Sequence, residues 1–116
     1  IAIKGSRVLI LGITFKENCP DLRNTGVIDV IDYLQARGVD VDVHDPWAHH
    51  EDAQQELGLT LLETPQAQSY DAVVVAVGHR HFSEQGATQI RQLLKPQGIL
   101  ADLKWVFPDE ESDVRL

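Results

Sequence analysis

The residues best suited to chemistry lie in one polar segment, Thr14 to Thr25, which contains Lys16, Glu17, Asn18, Cys19, Asp21 and Arg23. A lysine at the end of a buried strand offers a point charge. An arginine just ahead of a helix offers a planar fork beside free backbone N–H groups. Together they suit a diphosphate better than a neutral ligand. Composition alone supplies a blander reading, in which Lys16 and Arg23 form solvated ion pairs with Glu17 and Asp21, and such pairs contribute little. Further polar residues stand at corresponding places: Asp45, Pro46 and Trp47; Gly78, His79, Arg80 and His81; Asp102, Leu103, Lys104 and Trp105. The histidines invite a zinc site, with His44, His49 and His50 in one stretch and His79 and His81 in another. Their spacing matches no closed tetrahedral set and no cysteine pair supports it. Solvated histidines, with His79 as a polar cleft residue, are the preferred reading, and no metal is assigned.

These residues need elements to position them. Arg7 to Phe15 is a nearly continuous apolar run containing a glycine, the pattern of a strand buried on both faces in a parallel sheet. Asn24 and Thr25 can cap a helix whose apolar residues Val27, Val30, Ile31 and Leu34 follow helical spacing, and Arg37 with Gly38 ends it. Val39 to His44 alternates as a second strand, and Asp45-Pro46 breaks the chain. A short helix is expected over 49–57, a short strand over 59–62 and a turn over 65–69. Ala72 to Val77 is a second unambiguous buried strand. Ala87, Ile90 and Leu94 share a helical face, Pro96 to Gly98 stops that run, and Gly98 to Ala101 is a final short strand. The acidic residues 108–116 read as a loosely held tail.

Strand and helix alternate throughout, which predicts an α/β fold: Rossmann-like, three-layered and doubly wound, on a mainly parallel sheet of about five strands. In such a sheet ligands gather at the carboxyl ends of the strands, where all the polar residues named above fall. The first turn reads Gly12-Ile13-Thr14-Phe15-Lys16 and lacks the Gly-x-Gly-x-x-Gly fingerprint. A dinucleotide site of the usual kind is not encoded.

Bulk properties narrow the function classes. The 116 residues, 43% of them hydrophobic, suit a single domain spanning 1–116. A formal net charge of −8, without a basic stripe, excludes nucleic acid as a natural partner. No apolar run is long enough to span a bilayer and no signal peptide opens the chain. The single cysteine, Cys19, cannot form an internal disulfide, so the expected compartment is the cytosol.

The run Val8 to Thr25 closely resembles the signature that opens the carboxy-terminal domain of the UDP-glucose/GDP-mannose dehydrogenase family. There a strand ending Gly-x-x-Phe-Lys is followed by Asp-x-Arg and a Ser or Thr. The resemblance continues through Asp45-Pro46, through Ala72 to Val77 with His79 and Phe82, and through Asp102 to Lys104, covering nearly the whole chain. The loop wording is most similar to the bacterial branch that oxidises UDP-N-acetyl-hexosamines, notably UDP-N-acetylgalactosamine, for surface polysaccharides. The resemblance implies a nucleotide-sugar-binding domain cut from an NAD-dependent UDP-sugar 6-dehydrogenase, a cytoplasmic homodimer that oxidises the sugar C6 alcohol to a carboxylate through a cysteine thiohemiacetal. It also implies roles residue by residue. Phe15, Lys16, Glu17, Asn18, Cys19, Pro20, Asp21 and Leu22 line the substrate site, and Lys16 contacts the UDP-sugar. Arg23 reaches across the cleft to NAD, which the amino-terminal domain of the same polypeptide holds. Two departures stand out. Cys19 replaces a threonine found in several relatives and is not the family nucleophile, so no catalytic residue is expected here. Lys104 and Trp105 replace a pair of arginines, which leaves Lys104 as the candidate contact after the last strand. The competing reading is a free-standing nucleotide or effector-binding domain without catalysis.

Overall fold

The computed structural model describes residues 5–23 and 25–115. Strand β1 (Arg7–Leu11) is followed by α1 (Val27–Ala36), β2 (Asp40–His44), α2 (His50–Leu57), β3 (Tyr70–Val75), α3 (Arg80–Gln85), α4 (Ala87–Arg91), β4 (Leu94–Asp102), a 3-10 turn (Asp109–Glu111) and β5 (Val114–Arg115). The sheet order is β2-β1-β3-β4-β5 and each pairing is parallel. Four full strands are thus extended at one edge by a two-residue fifth.

β1 lies at the centre because its residues are apolar toward both faces. Val8 and Ile10 join Ile31 of α1 and Ala53 of α2 in one buried cluster. Leu9 and Leu11 join Phe82 of α3 and Ile90 of α4 in the other. Helices cover both faces, so the three-layer, doubly wound expectation holds. Burying a side chain of this size contributes about 1.5–3 kcal/mol, and the alternation along β1 supplies both layers from one strand.

Several local expectations are corrected. The first strand ends at Leu11 rather than Phe15, because Gly12 turns the chain with φ +101°. A Cβ at Gly12 would stand 2.6 Å from Val77 Cβ, so glycine there permits close approach of the post-strand segments. The expected strand at 59–62 is not one: Leu62 N–H donates to Val43 O (2.7 Å) and Leu61 is buried, which anchors the segment without a ladder. Arg80–Gln85 is a helix the pattern did not announce, since only Phe82 of it is buried. The helix from Ala87 stops at Arg91, and Leu94 already opens β4. Pro96 to Gly98 do not end an element but form a bulge within β4, where the register jumps from Tyr70 opposite Leu94 to Ala72 opposite Ile99.

The acidic tail is docked rather than loose. Asp113 Oδ2 accepts from Leu100 N–H (2.8 Å) and Arg91 Nη1 (3.1 Å), and β5 pairs with the end of β4. At α1 the N-cap is Gly26, and Thr25 Oγ1 accepts from Val27 N–H (3.3 Å); Asn24, the other expected cap, lies outside the described residues. Gly38 takes the expected left-handed turn at φ +80°.

Candidate functional site

From β1 the chain crosses to α1 and β2 on one face, and from β3 it crosses to α3, α4 and β4 on the other. Their carboxyl ends diverge and leave a crevice between β1 and β3. A cleft of about 310 Å³ occupies that place, lined by Phe15, Lys16 and Glu17 from the first loop, Thr25 to Val27 and Val30 at α1, Gly78 after β3, and Leu103 with Lys104 after β4. Phe15 is 58% exposed, an unusual state for a phenylalanine, and leaves an aromatic face open beside the two lysines.

What holds this loop is a buried carboxylate. Asp45, just after β2, accepts at Oδ2 from Ile13 N–H (2.7 Å) and Thr14 N–H (3.2 Å), and at Oδ1 from Trp47 N–H (2.7 Å) and Ala48 N–H (3.1 Å). His79 Nε2 lies 2.9 Å from Oδ2, and both side chains are fully buried. Burial works against the charged form, but the hydrogen bonds from His79, Ile13 and Trp47 outweigh it and hold the Asp45 carboxyl below the usual carboxylate range. Asp45 thereby ties the ends of β1, β2 and β3 together. His79 is not the polar cleft residue expected from its position. Its ring sits behind the loop, packed at 5.6 Å from Phe82 and 6.2 Å from Trp47 between ring centroids.

The outer half of the loop is built differently. Asp21 O accepts from Phe15 N–H (2.7 Å) and closes the loop across its base. Asp21 also pairs with Arg23 through two side-chain contacts of 3.1 Å and accepts from the Arg23 amide (2.9 Å). The Arg23 guanidinium and amide hold the Asp21 carboxyl below its usual range. Arg23 itself has 80% of its side chain exposed. Cys19 is half-buried and Pro20 exposed, whereas Leu22 is buried in the α1-side core and presents no side chain to the cleft.

After β4, Asp102 repeats the device on a smaller scale. It is buried and accepts from the amides of Lys104 (3.2 Å), Val106 (3.1 Å) and Phe107 (2.8 Å). That turn carries Lys104 into the same cleft as Lys16, and sets Trp105 at φ +56° with its indole exposed. A second hollow of about 450 Å³ lies on the far side of Asn18, with Trp47, Arg80, His81 and Glu84. The rings of His44 and His81 approach to 6.5 Å. Among the described residues no group of three or more metal-capable side chains forms.

The structure therefore brings Phe15, Lys16, Glu17 and Lys104 together, places Asn18 on a dividing wall, and leaves Cys19 to Arg23 on the outer rim or in the core. The positioning roles of Thr14, Asp45 and Asp102 were not legible from spacing. Each polar residue directly after a strand in an apolar context was the available signal.

The family described as "UDP-glucose/GDP-mannose dehydrogenase family, UDP binding domain" matches residues 9–109. The chain is 47% identical over its whole length to a UDP-N-acetyl-D-glucosamine 6-dehydrogenase of Pseudomonas aeruginosa, covering 28% of that protein. It is 48% identical to the enzyme of the same name from Salmonella typhi, covering 27% of it. Among solved structures it superposes on an NDP-N-acetyl-D-galactosaminuronic acid dehydrogenase of Methanosarcina mazei Go1 with a TM-score of 0.80 at 26% identity, over 95% of this chain and 23% of that one. The chain thus spans about a quarter of the length of the relatives it matches.

Proposed function

This chain belongs to the UDP-glucose/GDP-mannose dehydrogenase family, whose UDP-binding domain it matches, and from that premise we propose that the cleft between β1 and β3 binds the diphosphate and sugar of a UDP-N-acetyl-hexosamine. One observation carries the reading: in a chain of net charge −8, Lys16 and Lys104 line one cleft at the topological switch point. Neither has a carboxylate ion-pair partner among the described residues. Two ammonium groups facing one crevice repel each other, and an anionic diphosphate relieves that repulsion while receiving hydrogen bonds. The names of the two bacterial relatives favour the gluco sugar over the galacto one that the loop wording resembles. In the longer enzyme the bound sugar would be presented to chemistry supplied elsewhere. The reaction is oxidation at C6, in a cytoplasmic homodimer.

NAD would supply the hydride acceptor, but the residues present do not build its site. Gly12 serves contact with Val77 rather than a phosphate, and a long polar loop separates β1 from the α1 amino terminus. Only Arg23, on the exposed rim, is proposed to reach a dinucleotide held by another domain. No step of hydride transfer is assigned to this chain.

Calorimetric titration with UDP tests the reading. Losing one charge-assisted hydrogen bond costs about 1.5–3 kcal/mol, so Lys16→Ala should weaken UDP binding roughly tenfold or more. Lys104→Ala, which removes an exposed ammonium from the other wall of the cleft, should cost about threefold to tenfold. Equal affinity in wild type and Lys16→Ala overturns the proposal. The chain alone, mixed with NAD and UDP-N-acetylglucosamine, should produce no NADH above a protein-free blank.

A further inference from the structure

We propose that His79 is a positioning residue that fixes the Lys16–Asn18 segment for ligand binding, through hydrogen bonds reaching both ends of that segment. The inference rests on the reading of the cleft as a UDP site but is argued from geometry that involves no ligand.

The hydrogen-bond directions follow from donor identity. Asn18 N–H lies 2.9 Å from His79 Nδ1, and an amide nitrogen can only donate. Nδ1 is therefore the bare acceptor nitrogen, and the ring proton sits on Nε2, pointing at Asp45 Oδ2 (2.9 Å). Thr14 Oγ1, 3.2 Å from the same Nε2, accepts a share of that proton in a three-centre bond and donates its own to Lys16 O (2.9 Å). One ring thus connects the Asp45 carboxylate, by way of Thr14, to the carbonyl of Lys16, and directly to the amide of Asn18. Lys16, which lines the cleft, lies between those anchors.

The second anchor is reciprocal. Asn18 Oδ1 accepts from Arg80 N–H (2.8 Å), so the loop and the turn after β3 clasp each other at adjacent residues. Asn18 holds φ +56°, the left-handed region that asparagine enters more readily than other non-glycine residues. His79 is entirely buried, so the groups it satisfies have no bulk water beside them. Its carboxylate partner also receives the Ile13 and Thr14 amides, which leaves Asp45 little freedom to follow a displaced ring. The loop carrying Lys16 is in this way referenced to the sheet rather than to solvent.

The two amide isosteres of histidine separate positioning from mere packing. In His79→Asn the amide oxygen occupies the Nδ1 place and keeps the Asn18 contact while losing Asp45. In His79→Gln the amide N–H₂ occupies the Nε2 place and keeps Asp45 while losing the acceptor for Asn18. Both variants should melt lower than wild type. Exchange of the Asn18 amide, measured by NMR on the ligand-free chain, should remain slow in His79→Asn and become fast in His79→Gln. UDP affinity by calorimetry should stay within about threefold of wild type in His79→Asn, where Thr14 still donates to Lys16 O, and fall about tenfold in His79→Gln, which frees the Asn18 amide, and in Thr14→Val, which frees the Lys16 carbonyl. Equal affinity losses in the two His79 variants, or slow Asn18 exchange in His79→Gln, would overturn the proposal. If wild type fails to bind UDP, the reading of the cleft fails, and the exchange comparison still decides whether His79 fixes the loop. Should His79→Gln not fold, Thr14→Val, with the ring intact, decides it: unchanged UDP affinity there rules the relay out.

Discussion

The two halves of the first loop are made from similar residues but held by different means. Ile13 to Asn18 is tied to distant parts of the chain, through Asp45, His79 and Arg80. Asp21 to Arg23 makes its hydrogen bonds mainly to itself, through the Asp21–Arg23 pair, with the Phe15 amide as its link to the inner half and the buried Leu22 side chain as its apolar anchor. Each half is held by a carboxylate with a depressed pKa, Asp45 for the inner and Asp21 for the outer, so depression alone does not distinguish them. Burial does. Removing water from around Asp45 makes each of its hydrogen bonds costly to lose, whereas an exposed pair exchanges its partners for water at little cost. The inner half is thus suited to presenting a fixed cation, and the outer half to meeting another surface.

Asp45 is where that contrast should break most sharply. Asp45→Ala leaves the buried amides of Ile13, Thr14 and Ala48 and the part-buried amide of Trp47 without an acceptor and should destabilise the fold by about 3–5 kcal/mol in urea denaturation. The inner-half assignment fails if the loss is under about 1 kcal/mol, the size expected of a surface site. Gly12→Ala comes next, because it adds a Cβ against Val77 at a positive φ, and about 2–4 kcal/mol is expected from overpacking and backbone strain together. A wild-type melting curve for that variant would show that the post-strand segments are less tightly packed than the geometry indicates.

Acid titration sharpens the same comparison. The Asp45 carboxyl is depressed in the fold below the usual value of 3.8, so its contribution is fully present above that value and is lost as pH falls through the lower, folded pKa. The stability gap between wild type and Asp45→Asn should therefore be constant near neutrality and narrow below about pH 4. A gap that instead widens on acidification contradicts the sign. The smallest effect belongs to Arg23→Ala. With the side chain exposed, stability should change by less than about 0.5 kcal/mol, and UDP affinity should be nearly unchanged. If its loss weakens UDP binding as much as that of Lys16, Arg23 belongs to the substrate site and the division of the loop is wrong.

Much of the architecture was legible because apolar periodicity is a local property. The continuous run in β1 and the Ala72 to Val77 run announced buried parallel strands, and the i, i+3, i+4 spacing in α1 announced its inward face. Where the pattern misled, tertiary contacts had overridden it. Leu61 and Leu62 are apolar enough for a strand, yet Leu61 packs into the core while Leu62 meets β2 only at Val43 O and the His44 ring. Residues 108–116 are polar enough for a tail, yet Asp113 found the Leu100 amide and Arg91. α3 has one apolar anchor, Phe82, and so produced no period to read.

By itself the sequence determined the alternation of elements, the placement of polar residues after strands and the family signature from Val8 to Thr25, since each depends on residue type and short spacing. Only the tertiary structure decided which of those polar residues face solvent and which hold the others. Lys16 and Lys104 share a cleft, and Asp45 and His79 lie buried behind it, because β1, β2, β3 and β4 end side by side. Whether a charged or titratable side chain serves as a ligand contact or an internal brace depends on the water around it, and that is fixed only when distant strands come together.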